Sequence, residues 1–200
     1  MKKKNAEAPK IHKTVFSKGF KICKEDEEYY YQTNLTSKLI KGSKLIDQSV
    51  INEIVLWKVN RYAEIDADTL KLLNKIDRKA TTLNIDEARK ILKALIQNKG
   101  IQLPMASTIL RFRNKNIYQI IDQRVYRIIY KDNELKLKTH PNEKNLNYQI
   151  DAYFQYLKDL KAVCKKLKIP FEESDRILFM ADKRINKNVP LNNYSTRIKE

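Results

Sequence analysis

Three glycines and five prolines in 200 residues leave this chain few places to turn tightly. A chain so poor in turn residues reads as helices joined by short polar links, and all-α is the fold class it predicts. After Ser49, Ile51, Ile54, Val55 and Val59 recur at helical spacing, with Trp57 extending their apolar face. A second helix is expected from Asp66 to Ile76, with Asp66 or Asp68 as its cap and Leu70, Leu72, Leu73 and Ile76 turned inward. A third follows Asn84 and Asp86, carries Ala88, Ile91, Leu92 and Leu95 on one face, and stops before Gly100. Pro104, tolerated in a first turn, opens a helix through Ala106, Ile109, Leu110 and Phe112, so Gly100 to Leu103 forms a hairpin between helices. Beyond the apolar stretch Ile117–Ile121, Asp122 caps a helix bearing Val125, Tyr126, Ile128 and Ile129. A long helix is predicted from Tyr148 to Lys168, striped by Tyr153, Tyr156, Leu157, Leu160, Val163 and Cys164 and closed by Pro170. A last one, Glu172 to Lys183, carries Ile177, Leu178 and Phe179.

The periodic region, 49–185, is expected to be one helical domain. Residues 1–48 read as an irregular basic arm, and 186–200 as a loose tail. In the arm, the acidic run Glu25 to Glu28 precedes Tyr29, Tyr30 and Tyr31, which suit a short strand or an extended segment, able to stack on single-stranded bases or to be buried.

Hydrophobic residues at 42% suffice for a core, and charged residues at 32% are too many for a membrane protein. No apolar run approaches the ~18 residues of a spanning helix, and Met1–Lys4 is not followed by the apolar stretch of a signal peptide. A cytoplasmic location with no membrane partner is expected. Cys23 and Cys164 are too few for a disulfide framework, and both are expected to behave as half-buried apolar residues. His12 and His140 have no second ligand at metal-binding spacing, so no metal and no cofactor are expected.

Forty-one Lys and Arg against 24 acidic residues give a formal charge of +17. Such a field attracts polyanions, which puts nucleic acid first among partners, ahead of an anionic membrane or an acidic protein. The competing explanation is that lysine simply fills solvated faces.

One segment carries a resemblance. The run L-I-Q-N-K-G-I-Q-L-P-M-A-S-T-I-L, with Gly100 in the hairpin and Ala106 as the small residue after it, is followed by I-I-D-Q-R-V-Y-R-I-I, with Asp122 at a helix start. Residues Leu92 to Ile129 resemble the helix-hairpin-helix glycosylase superfamily, the family of endonuclease III and of the 8-oxoguanine and adenine glycosylases. The wider chain, from Trp57, Lys58 and Arg61 to the S-D-R-I-L-F stretch at Ser174, also looks like uncharacterised bacterial proteins with the same hairpin. The resemblance implies a glycosylase-like helical fold with its hairpin at about 92–112, double-stranded DNA as partner, and Asp122 in the place of the catalytic aspartate. It also implies phosphate contacts from Lys99, Gly100, Gln102 and Ser107, with Arg111, Arg113, Arg124 and Arg127 on the same side. The lyase lysine of the family falls at Pro104, which cannot form a Schiff base, and the second hairpin glycine is Gln102. The cluster-binding cysteines of endonuclease III have no counterpart. A monofunctional glycosylase activity in base-excision-type repair, by a monomer, is therefore the expectation.

Each candidate has a plainer reading. Asp122 can be an ordinary N-cap. Trp57 can stack on an extruded base or sit in a core. Lys58 and Arg61, three residues apart, can share a phosphate or face water. The lysines of Lys158–Lys168 can lie on DNA or be solvated. Two rival functions remain open at this point: a non-catalytic nucleic-acid-binding module on the same fold, and a basic protein-interaction module.

Overall fold

The computed structural model describes residues 16, 18–27, 32–42, 46–59, 63–130, 135, 137 and 142–191. Among the described residues every regular element is helical, in keeping with the all-α expectation, and no helix is long and apolar enough to cross a membrane. Tyr29–Tyr31, Arg61, His12 and His140 lie outside the described residues. The chain divides into two compact units, residues 1–62 and 63–200.

In the N-terminal unit a 3-10 turn, Lys24–Glu27, precedes α1 (Thr33–Lys41) and α2 (Gln48–Lys58). Asp47 caps α2 by accepting from the Val50 amide at 2.9 Å. Three ties link the pair. The Trp57 indole N–H donates to Thr36 Oγ1 at 2.9 Å, Gln32 Nε2 donates to the Trp57 carbonyl at 3.2 Å, and Lys38 pairs with Glu53. Two sequence expectations are corrected here. The first 48 residues are not wholly irregular, since they hold α1, and α2 groups with α1 rather than with the later helices. The apolar face of α2 is also not interior: Ile51, Ile54, Val55 and Val59 are all exposed, and among the described residues of this unit Leu35 of α1 is the buried leucine. Trp57 is half-buried.

The C-terminal unit follows the predicted pattern closely. α3 (Ala67–Lys75) is capped by Asp66, which accepts from the Thr69 amide at 2.8 Å and hydroxyl at 2.7 Å. Asn98, at the end of α4 (Ile85–Gln97), reaches back to bond the Asp66 amide and carboxylate, both at 2.9 Å, so the start of α3 is pinned to the end of α4. α4 buries Ala88, Ile91, Leu92 and Leu95, as its spacing predicts, and Ile96 as well. The chain turns at Asn98–Ile101, closed by the Ile101 amide donating to the Asn98 carbonyl at 3.2 Å. Gly100 sits there at φ +83°, where a side chain would be strained.

The next helix, α5 (Leu103–Arg113), has Pro104 in its first turn and buries Ala106, Ser107, Leu110 and Arg111. Phe112, expected inside, is 68% exposed. It lies about 200° around the helix from Leu110, and Arg111 takes the inward position instead. An extended segment leads to α6 (Gln123–Ile129), and α7 (Glu143–Leu167) begins earlier than predicted. Asn142 caps α7, accepting from the Asn145 amide at 3.0 Å, and the added turn contributes Leu146 to the interior. A 3-10 turn, Phe171–Glu173, leads into α8 (Ser174–Ile185), where Leu178 is buried, Phe179 half-buried and Ile177 exposed.

α7 is the spine of this unit. Ile150, Tyr153, Tyr156 and Leu160 are fully buried against residues of α4, α5 and the segment before α6. Each large apolar side chain so removed from water contributes about 1.5–3 kcal/mol. Leu110→Ala should therefore cost about 2–5 kcal/mol in denaturant unfolding. Ile54→Ser, on the exposed face of α2, should shift stability by no more than about 0.5 kcal/mol; a loss as large as that of Leu110→Ala would restore the interior reading of α2.

Candidate functional site

After Asn114 the chain turns at Lys115–Ile117, closed by the Tyr118 amide donating to the Asn114 carbonyl at 3.2 Å, and then runs to Asp122 without helix, with Ile117, Tyr118, Gln119 and Ile121 buried. A buried segment without helix or ladder must find partners for its backbone elsewhere. For residues 119–121 three side chains of α5 and α7 supply them. The Tyr153 hydroxyl donates to the Gln119 carbonyl at 3.0 Å, and the Tyr156 hydroxyl donates to the Ile120 carbonyl at 2.7 Å. The Ile121 amide donates at 3.2 Å to Ser107 Oγ, which itself donates to the Pro104 carbonyl at 2.8 Å. Ser107 thus anchors the hairpin helix to the segment, and its hydroxyl is occupied in doing so.

This segment delivers Asp122 to the start of α6, where its Oδ1 accepts from the Val125 amide at 2.8 Å. Burial raises its pKa above the ordinary 3.8 and the Asp182 charge adds to that, although amides of Val125 and Arg124 and the Arg124 guanidinium oppose it. Asp66 offers a direct contrast. It too caps a helix three residues ahead, but bonds from Thr69 and Asn98 lower its pKa to about 2. Capping by itself therefore gives the opposite sign, and only half-burial separates Asp122 from an ordinary capping aspartate.

The four arginines expected on the phosphate side all have partners within the chain. Arg124 Nη1 donates to Asp182 at 3.1 Å, and Arg127 meets the same carboxylate through Nε at 2.7 Å and Nη2 at 2.8 Å. Asn186 adds a bond to Asp182 at 2.7 Å. Burial alone would raise the Asp182 pKa, but these donors outweigh it and hold the group below its ordinary value. Arg111 is itself buried, with Nη2 donating to the Glu172 carbonyl at 3.1 Å and Nε 3.4 Å from Asp175. Arg113 donates to the carbonyls of Leu73 at 3.0 Å and Asn74 at 2.8 Å, closing the end of α3.

Lys99, Gly100 and Gln102 are exposed on the hairpin turn, and Gln102 makes no side-chain cap bond. Trp57 and Lys58 belong to the N-terminal unit. The hairpin residues, Ser107 and Asp122 share the other unit, where the bond from Ile121 to Ser107 couples α5 to the segment ending at Asp122. Cys164 is buried, but Cys23 is exposed rather than half-buried.

Asp175, Asp182, Tyr153 and Tyr156 have the strongest interior polar roles, and the sequence reading gave none of them a role beyond apolar packing. A signal for the two aspartates existed. They stand seven residues apart, two turns along one face of α8, with paired arginines elsewhere in the chain to receive them. No group of three His, Cys, Asp or Glu among the described residues is arranged to hold a metal ion. Comparison of the chain with protein-family models, with curated proteins and with solved structures returns no match.

Two predictions follow from the opposed carboxyls. Asp122 carries a raised pKa, so its favourable contribution is complete below about 3.8 and is lost as pH rises through the folded value. Asp122→Asn retains a good cap, and its Tm should match wild type near pH 3.5 and exceed it at pH 7. A mutant less stable at pH 7 would contradict the burial cost. Asp182 has the opposite sign: its contribution is present above about 3.8 and disappears as pH falls through its lowered value. Asp182→Asn, which leaves Arg124 and Arg127 without a counter-charge, should cost about 2–4 kcal/mol at pH 7, with a smaller difference in acid.

Proposed function

We propose that this protein binds double-stranded DNA and acts as a monofunctional, glycosylase-like enzyme with Asp122 as its chemical group. The observation that carries the reading is the raised pKa of a half-buried carboxyl at the end of a segment fixed by three side-chain bonds. A carboxyl kept from easy ionisation by its surroundings departs from what a capping role needs, and such departures cluster where chemistry is done. Cleaving an N-glycosidic bond develops positive charge on the sugar. The ionised carboxylate can stabilise that charge and take a proton from attacking water, while the departing base is protonated from elsewhere.

Binding rests on charge and on the hairpin. The +17 field favours a polyanion. The turn at Lys99–Gln102 sets an exposed lysine beside the start of α5, whose first-turn amides favour a phosphate oxygen. Since Arg111, Arg113, Arg124 and Arg127 are held internally, phosphate contacts fall to lysines, which read charge rather than geometry. Pro104 occupies the lyase position, so base release would proceed by hydrolysis and leave an intact abasic strand.

A second reading has its own observation. Asp122 Oδ1 already caps α6, and its arginine neighbours serve Asp182, so the same fold can bind DNA without turning over. Base release from lesion-bearing and undamaged duplexes under single-turnover conditions separates the two. The enzyme reading expects release by wild type to fall at least about 100-fold in Asp122→Asn, with duplex affinity unchanged. Salt-dependent binding without release from any substrate supports the non-catalytic module, and absence of salt-dependent binding sinks both.

A further inference from the structure

A cleft of about 360 Å³ opens in the C-terminal unit between the end of α3, the start of α4 and the beginning of the extended segment. Its walls include Ile76, Ile91 and Ile117, all buried. Tyr118 also lines it and is 3% exposed, yet its hydroxyl has no hydrogen-bond partner among the described residues. Tyr153 and Tyr156, buried in the same unit, both use their hydroxyls. The ring is buried but the hydroxyl is not sealed from solvent, so it can donate to what enters the cleft.

The charged lining is Lys75, Lys90, Asp77 and Glu87, two of each sign, so the cleft is balanced in a chain of charge +17. Among the described residues, Glu87, Lys75 and Lys90 form no ion pair or side-chain hydrogen bond. Balance argues against a phosphate-bearing ligand, which would meet Glu87 as well as the lysines. It equally gives no reason for a net cation. A neutral molecule avoids both costs, because an N–H edge can donate to the carboxylate in a charge-assisted bond without any ligand charge being stripped of water.

We propose that this cleft binds a neutral, nucleoside-sized heterocycle whose adjacent N–H donors meet Glu87, whose carbonyl accepts from the Tyr118 hydroxyl, and whose ring lies against Ile76, Ile91 and Ile117. A guanine-type edge, two donors beside a carbonyl, has this pattern; an adenine edge, with no carbonyl, does not. Burial and the charge of Glu87 push the Tyr118 phenol up to about 12, so it remains a donor throughout the physiological range. The aliphatic walls suit a flat ring, and the volume admits a sugar as well as a base. The site is separate from Asp122, and the proposal does not depend on the catalytic reading.

Calorimetric titration of the full-length protein tests it, with guanosine, inosine and adenosine as probes and leucine and inorganic phosphate as controls. Guanosine should bind, inosine should bind more weakly for want of the second donor, and adenosine should be at least about tenfold weaker than guanosine, the equivalent of one lost hydrogen bond. Glu87→Gln and Tyr118→Phe should each weaken guanosine binding by about tenfold. Tyr118→Phe breaks no internal bond, so its Tm should stay at the wild-type value, which separates loss of the site from loss of the fold. Asp122→Asn should bind guanosine as wild type does. The proposal is overturned by absence of guanosine binding up to about 1 mM, by equal binding of adenosine, leucine or phosphate, or by guanosine binding that survives both cleft substitutions.

Discussion

The arrangement of the C-terminal unit depends on how a buried, non-helical stretch of backbone is satisfied. Ile117, Tyr118, Gln119 and Ile121 are buried and Ile120 is half-buried, and each buried amide or carbonyl left unpaired there would cost about 1–3 kcal/mol. Tyr153 and Tyr156 answer two carbonyls from one face of α7, and Ser107 answers an amide from α5. Because the two tyrosines are three residues apart, a single turn of helix addresses two successive carbonyls. The bonds fix the path of the segment relative to both helices, and with it the point where α6 begins.

Around this centre the arginines act as internal fasteners. Asp182 draws Arg124 and Arg127 together, joining α6 to α8, and Arg111 joins α5 to the start of α8 through Glu172 and Asp175. Arginine suits these positions better than lysine, since its planar head can bond a carboxylate or successive carbonyls from several nitrogens and stays charged when buried. The division of labour has a consequence for the surface. The arginines resembling a phosphate-binding set are largely removed from it, and the exposed charge that remains around the hairpin is lysine. Recognition by such a surface is governed by charge density and ionic strength more than by directed bonds.

Most of the helical architecture was legible in the sequence because it rests on local signals. Asn84 and Asp122 cap where their position before an apolar run predicts, Gly100 turns where α4 ends, and the stripes of α4 and α7 are buried. Two failures have physical causes. The α2 stripe, Ile51 to Val59, satisfies helical periodicity, but periodicity says which residues share a face and not whether a partner covers it. The role of the arginines was misplaced because a cation at helical spacing reads the same whether it faces a phosphate or a buried aspartate two helices away. The clue lay at long range, in Asp175 and Asp182. The backbone bonds of the extended segment were hidden for a related reason: a tyrosine within an apolar stripe gives no sign that its hydroxyl is required.

The raised pKa of Asp122 comes first from its own burial, and its backbone bonds and charged neighbours decide how much of that is offset. An aspartate half-buried beside two arginines would ordinarily ionise readily, paired with one of them. Here Asp182, on α8, is the fully buried carboxylate of the two, and it takes three guanidinium bonds from Arg124 and Arg127. Asp122 is left with backbone amides and a share of the Arg124 field, against its own burial and the negative charge of Asp182. The two carboxyls move in opposite directions because one holds the cations and the other does not. A helix far along the chain thereby adds to a shift that the burial of Asp122 itself begins, because it holds Arg124 and Arg127 to Asp182 and brings a negative charge nearby.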